Sequence, residues 1–299
     1  MNILNIIKLF VKVDDFLKIN EKKSKLLKNS KKPVTKNPRL SDSEIITILV
    51  YFHESGSKNF KEYYKNIILY CLKSYFPQAV SYTRFLELQT RVLGLMHSFL
   101  MSLIENKTRE YNYIDSTRIK VCHNKRIPNH KVFQGLAKRG KSTMGWFFGF
   151  KLHLIINDIG EIVDVVLTSG NKNDAKAVEL MKSPLFGFLF GDKGYISKSN
   201  EKFFESKGVK YVTYKRKKMK NNRNDFYKYI GLKKRSVIES VNSVLKEQLS
   251  LEHSRHRSIK GFFKHILSTL ISYQLREKKP KIKREFPFLE KKEVLLLGK

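Results

Sequence analysis

Three acidic residues stand where acids are uncommon. Asp115 ends one apolar run and is followed by Ser116 and Thr117; Asp192 ends another, between Gly191 and Gly194. Glu239 lies in the stretch Lys233 to Lys246, KKRSVIESVNSVLK. Wound as a helix at about 100° per residue, this stretch gathers Arg235, Glu239, Asn242 and Lys246 within about 60°, apart from an apolar stripe of Val237, Ile238, Val241, Val244 and Leu245. Hydrolysis or exchange at a phosphodiester needs positioning and charge neutralisation. Carboxylates that hold two hard divalent cations about 3.5–4 Å apart supply both. Taken singly, each acid has a plainer reading, a turn-forming Asp or a Glu on a solvated helix face. Asp158 as a hairpin-turn residue, Asp164 on the polar side of its strand, Asp174 in a helix's first turn and Glu44 in a capping box are of that plainer kind. The joint pattern, two strand-end aspartates and then a helical glutamate, sets the three apart.

The elements that must position them can be read from periodicity. Ser41 with Glu44 three residues on forms a capping box, followed by Ile45, Ile46, Leu49 and Phe52 at helical spacing. Further helical segments are expected at Phe60 to Tyr75 and Tyr82 to Ile104, with Ser81 as an N-cap. A DNA-reading helix-turn-helix and a plain helical bundle both fit this region. From Tyr111 the character changes to short β-rich runs: Tyr111 to Ser116, Arg118 to Cys122, Phe147 to Ile156 and Glu161 to Leu167. Asn157-Asp158-Ile159-Gly160 reads as a hairpin connection. A helix from Asn173, a run Phe186 to Phe190, a helix Lys198 to Ser206, a strand Val209 to Tyr214 and a long helix from about Lys233 follow. Three meander strands, then helix, strand, helix, strand and helix is the order of a ribonuclease-H-like α/β domain. The expectation is a mixed five-stranded sheet with helices at 109–280, preceded by a small all-helical domain at 1–108 and followed by a basic tail at 281–299. The part from 109 onward is expected to carry a core of its own. Trp146 and the phenylalanines at 147, 148 and 150 are expected in that core.

The chain has 299 residues, with 60 Lys plus Arg against 27 Asp plus Glu, a formal charge of +33. Such an excess calls for a polyanionic partner. With 41% hydrophobic residues the composition is that of a folded chain, not a disordered one. Cys71 and Cys122 form no CxxC pair, so a reducing, cytosolic compartment fits. His123 and His130 beside Cys122 match no zinc spacing. No stretch reaches the ~20 apolar residues of a membrane span. Residues 18 to 39, dense in lysine, read as a solvated basic arm or linker. Lys215 to Asn224, including Lys215, Arg216, Lys217 and Lys218, and Lys138-Arg139-Gly140-Lys141 with Lys125-Arg126 are candidate phosphate contacts; a solvated loop is the plain alternative.

The sequence resembles the insertion-sequence transposases of the DDE superfamily in bacteria, most closely the insertion sequence 982 family. The stretches that carry the resemblance are YIDSTRIKVCHNKRIPNHKVFQGLAKRGKSTMGWFFGFKLHL (Tyr113 to Leu154), LFGDKGY (Leu189 to Tyr195), KKRSVIESVNSVLK and EHSRHRS (Glu252 to Ser258). The N-terminal LSDSEIITI and SYTRFLEL are similar too. The resemblance implies that Asp115, Asp192 and Glu239 are the catalytic, metal-binding triad, with two Mg²⁺ ions expected and Mn²⁺ as a substitute. Arg235, Glu239 and Lys246 meet the Arg-x3-Glu-x6-Lys spacing of related transposases, which implies that Arg235 and Lys246 hold phosphates. Leu232 replaces the tyrosine found in some related families. Lys193, Arg255, His256 and Arg257 are further candidate DNA contacts.

The activity this implies is metal-dependent cleavage at element ends and strand transfer into target DNA. The implied partners are the terminal inverted repeats, target DNA and a second copy in a homodimeric synaptic complex, with no membrane and a cytoplasmic, nucleoid-associated location. The rivals are a ribonuclease-H-fold nuclease without strand transfer and a non-catalytic basic DNA-binding protein.

Overall fold

The computed structural model describes residues 3–27, 38–142, 145–214, 231–252 and 256–282. Lys215 to Asn224, Arg255 and residues 283–299 of the basic tail lie outside these. The chain opens with helix α1 (Ile3–Leu27), so residues 18–27, expected as an arm, are helical instead. The physical reason lies upstream: Ile6, Leu9 and Val13 bury on one side, and Asp14 accepts a bond from Ser43 Oγ (2.7 Å) while pairing with Lys18 (2.6 Å). Helix α2 (Asp42–Glu54) begins at the expected capping box, where Ser41 Oγ accepts from the Glu44 amide (3.1 Å) and Glu44 accepts from the Ser41 amide (2.7 Å). A short turn α3 (Phe60–Glu62) widens into a π-helical segment, Tyr63–Cys71. Helices α4 (Tyr82–Leu88, capped by Ser81) and α5 (Leu93–Ile104) complete the helical part.

Then come β1 (Tyr111–Cys122), β2 (Lys138–Ser142), β3 (Gly145–Asn157), β4 (Ile162–Ser169), α6 (Asp174–Ala177), β5 (Phe188–Gly191), α7 (Lys198–Glu205), β6 (Lys210–Thr213), α8 (Ser236–Ser243) and α9 (Ile259–Leu275). Strand β1 lies centrally, antiparallel to β3 and parallel to β5, with β6 parallel beyond β5. The far edge of β3 carries β4 along one half and β2 along the other. This is a ribonuclease-H-like α/β fold with a helical N-terminal region. The β3–β4 connection is the expected hairpin, closed by Gly160 N to Asn157 O (3.0 Å) with Gly160 at φ 77°.

The sheet has six strands, not five. Strand β2 escapes a hydrophobic pattern because it reads Lys-Arg-Gly-Lys-Ser; what seats it is backbone proximity. A Cβ on Gly140 would come within 2.7 Å of the Gly170 carbonyl carbon, and one on Gly170 within 2.7 Å of the Lys138 carbonyl oxygen. Two glycines thus let β2 close against the chain leaving β4. Asp164 also departs from expectation. It is buried and accepts from the amides of Val165 (2.7 Å), Lys182 and Ser183 (2.8 Å each), tying down the chain after α6.

Alternation along the strands sorts the core into two faces. Tyr113, Leu152, Leu154 and Phe190 join a large core with residues of α2, α5, α8 and α9, while Ile114, Ile155, Leu189 and Tyr195 join a smaller one with Val178 and Phe204 on the other face. The large core is common to the helical part and the sheet, rather than belonging to the part from 109 onward. His53 Nδ1 donates to Leu249 O (2.7 Å) and its Nε2 meets Ser268 Oγ (2.9 Å). Gln274 Oε1 accepts from the Ile162 amide (2.9 Å), while its Nε2 donates to Leu103 O (3.3 Å).

Two outcomes follow from this packing. A fragment from residue 109 onward strips α9 of α2 and α5, so it should bind a hydrophobic dye and lack the cooperative thermal transition of the full chain; a sharp melt at the full-chain temperature would contradict this. Lys264 on α9 is only 5% exposed, and burial lowers its pKa to about 8. The unfolded chain therefore holds more protons between pH 8 and 10.5, and stability contributed at this site rises across that window and falls to a constant penalty below it. Lys264→Met should raise the melting temperature at pH 7, and the gap to wild type should close as pH approaches 10.5. An unchanged gap would show that the ammonium carries no burial cost.

Candidate active site

Strand pairing places the first two acids. Ile114 lies opposite Gly191 in the parallel β1–β5 pair, so Asp115 and Asp192 are the next residues on adjacent strands and leave the same sheet edge. Alternation puts Asp115 on the face of Tyr113 and Asp192 on the face of Phe190, both members of the large core. That face is covered by α8. Its Val237, Ile238 and Val241 bury against the sheet, as the apolar stripe requires, and this turns the face of Glu239 and Asn242 toward the strand ends.

Two side chains converge on Asp115. Asn242 Nδ2 donates to its Oδ2 (3.2 Å), and Arg235 Nη1 lies 3.6 Å from its Oδ1. Arg235 Nη2 in turn bonds Glu239 Oε1 at 2.6 Å. Burial raises the Asp115 carboxyl to about pKa 6; Arg235 and the Ser116 amide pull it down, while Asp192 and Glu239 push it up. Like charges nearby therefore add to the cost of desolvation, and the guanidinium offsets part of it.

Two buried atoms bear on whether a divalent ion would fit here. Asn242 Oδ1 is buried with no hydrogen-bond partner, and so is Arg235 Nε. Asn242, which bonds Asp115, would add its Oδ1 to the carboxylates of Asp115, Asp192 and Glu239 in an oxygen-only donor set of the kind hard divalent cations take. Yet among the described residues no three His, Cys, Asp or Glu side chains are grouped closely enough to hold a metal ion. Glu239, whose side chain is 58% exposed, is drawn to Arg235. The donors suit the ion, and Arg235 stands in as the counter-charge.

The expected basic residues separate into groups. Arg235 joins the acids. Lys246 lies two helical turns beyond Glu239 and pairs with Glu252 (3.5 Å), whose other oxygen accepts from the Lys120 amide (3.3 Å); burial lowers the Lys246 pKa. It therefore sits by the far half of β1 and not beside Asp115. Lys193 is exposed directly after Asp192. Lys138, Arg139 and Lys141 are exposed on β2. The His256 ring packs on Phe262 and His265, with centroids 5.4 and 5.0 Å away, while Arg257 is exposed and close enough to Tyr82 of α4 to offset part of the rise that burial gives the Tyr82 pKa.

Some residues around the site gave no signal that was used. Asn242 was on the right helical face, but its type suggested nothing. On the sheet's other face His153, fully buried, meets Tyr195 OH (3.1 Å) and Thr168 Oγ1 (2.9 Å), and Lys151 bonds Asp174 (2.9 Å). A lysine and a histidine inside the apolar run Phe147 to Ile156 were the available clue. Trp146, expected in the core, is 61% exposed, because it lies at the start of β3 beyond the span that β1 and the helices cover.

Arg235 should be essential to the metal-free fold. Removing one partner of a largely buried ion pair costs about 3 kcal/mol or more. Arg235→Ala should lower the melting temperature in chelator, and added Mg²⁺ should raise it more in the variant than in wild type. An equal response in both would show that guanidinium and cation do not serve the same carboxylates.

No curated protein matches the chain. Among solved structures, the chain is similar to one in the crystal structure of the Mos1 strand transfer complex, 11% identical over 85% of this chain and 82% of that one, with a TM-score of 0.21. Residues 105–259, a span that includes β1, β5 and α8, match the family model described as a transposase DDE domain, and the chain belongs to that family.

Proposed function

We propose that the chain is the transposase of a bacterial insertion sequence, of the insertion sequence 982 type, which cleaves DNA at the element ends and joins the freed 3′ ends to target DNA. The observation that carries this reading is the parallel β1–β5 register, which delivers Asp115 and Asp192 side by side to one sheet edge beneath α8. Asp115, Asp192 and Glu239 would hold two Mg²⁺ ions, or Mn²⁺ in their place. Bound there, the ions would supply charge neutralisation and an activated oxygen nucleophile.

The chain's own residues have definable tasks in such a reaction. Asp115 is held by Asn242 and by Arg235, so its carboxylate is oriented before substrate arrives. Arg235 would meet a phosphate oxygen of the substrate, for which its planar fork is suited. The basic surfaces at Lys138, Arg139, Lys141 and Lys193, with Lys215, Arg216, Lys217, Lys218, Arg255 and Arg257, would neutralise the DNA backbone. Lys246 would act on a phosphate only once released from Glu252. The helices of 1–108 would read the terminal repeats, 109–280 would carry the chemistry, and 281–299 would add charge; this division is one of task, since the core is shared. Among the described residues no helix is long and apolar enough to cross a membrane. A homodimeric synaptic complex in the cytoplasm, at the nucleoid, completes the reading.

The experiment is a set of isosteric substitutions. Asp115→Asn, Asp192→Asn and Glu239→Gln should each bring cleavage and strand transfer to background on duplexes carrying the element ends, while DNA binding and the thermal transition persist. Cleavage without joining in the wild type would favour a nuclease. Near-wild-type transposition by any one variant would remove that residue from the site.

A further inference from the structure

A cleft of about 450 Å³ opens where β2 and the start of β3 meet the chain after β4. Arg139, Lys141, Trp146, Lys151, Lys172 and Asp174 line it. The four cations face a single carboxylate, and that carboxylate is engaged by Lys151, which also donates to Lys172 O (3.0 Å). Arg139, Lys141 and Lys172 make no ion pair among the described residues. Lys141 lies opposite Trp146 in the β2–β3 ladder, with its ammonium 5.8 Å from the indole centroid.

The chemistry of this lining is specific. An indole exposed to solvent in a cationic cleft offers a flat apolar face beside anion-binding groups. A nucleotide presents the complement, a π-face on one side and a phosphate a few ångströms away. A base inside a duplex shows only its edge in the grooves, so away from a duplex end the ring of Trp146 is covered by a base that is unpaired. The cleft also touches the loop after Asp192: a Cβ on Gly194 would lie 3.2 Å from Asp174 Oδ2.

We propose that this cleft is a binding site for single-stranded DNA, with one unpaired base on the Trp146 ring and its flanking phosphates on Arg139, Lys141 and Lys172. The assignment rests on the reading of the chain as an enzyme that acts on DNA, and adds to it a place for strand that has left the duplex. Lys151 and Asp174 form the fixed wall, and their bond keeps the one carboxylate from repelling the phosphates.

Trp146 is the sole tryptophan of the chain, so fluorescence excited at wavelengths beyond tyrosine absorption reports on this cleft alone in the full-length protein. Titration with a short oligothymidylate, in chelator so that no cleavage intervenes, should quench the signal to saturation. A covalently closed circular duplex, which offers no end on which the indole could stack, should bind through the basic surface without comparable quenching. By anisotropy of a labelled oligothymidylate, Trp146→Ala should weaken binding roughly 5- to 150-fold, and Trp146→Phe should recover most of it. Duplex affinity should change little in both variants. Because Trp146 is mostly exposed, both should keep the wild-type melting temperature, and Trp146→Phe serves as the test if the alanine variant does not.

Equal quenching by duplex, oligothymidylate binding without quenching, or undiminished binding by Trp146→Ala would each overturn the site. Preference for oligouridylate of the same length would overturn its assignment to DNA. None of these readouts uses metal or cleavage. Loss of the cleft with cleavage intact sinks this proposal alone, and a saturating quench in a chain that never cleaves DNA sinks the enzyme reading instead.

Discussion

Where Ile114 meets Gly191, the next residue on each strand has no freedom to go elsewhere: Asp115 and Asp192 must leave the same edge about 4.8 Å apart, the spacing of neighbouring strands. That figure of about 4.8 Å is a backbone spacing, and carboxylates carried on such neighbours repel: burial raises the Asp115 carboxyl most, and Asp192 adds to it. Much around them answers this. Asn242 and the Ser116 amide stabilise Asp115 locally, Arg235 supplies positive charge, and α8 is held by its apolar stripe at the place where Arg235 can reach both Asp115 and Glu239. The helix is thus positioned by hydrophobic burial and made useful by electrostatics.

The same face explains why the helical region and the sheet share a core. The strands leave Tyr113, Leu152, Leu154 and Phe190 facing one way, and α8 alone is too short to cover them. Helix α9 and α5 complete the layer. Helix α9 buries polar as well as apolar side chains, and His53, Gln274 and Ser272 join it to its neighbours by specific hydrogen bonds. Register between the two parts is therefore set by directional contacts on top of a non-directional one.

How much of this could be read from residues alone depended on the kind of signal. Strands β1, β3, β4, β5 and β6 were legible because each carries apolar residues, and the hairpin because Asn157 and Gly160 suit its turn. The capping box at Ser41 and Glu44 was legible because its two bonds are local. The neighbourhood of Asp115, Glu239 and Arg235 was legible because helical spacing fixes a face. Strand β2 was not, since its place depends on Gly170, thirty residues from Gly140, approaching closely enough to exclude a side chain. Trp146 and Asp164 were misjudged for a related reason: exposure is decided by what lies across the sheet, and a strand's own sequence does not contain that. The helical fate of residues 18–27 was hidden because lysine density argues for solvation, which a helix provides equally well.

The β3–β4 turn gathers three separate stretches of chain. Arg109 pairs with Asp158 (2.6 Å), Lys107 with Glu161 (3.0 Å), Tyr273 OH donates to Gly160 O (2.7 Å), and the Ile282 amide donates to Asp158 O (3.0 Å). Residues 105–110, which join the helices to the sheet, are thereby riveted at both sides. A ligand that engages both the N-terminal helices and the Asp115 edge would span two surfaces braced against each other, and a mismatch in span would fall first on the curvature of the ligand.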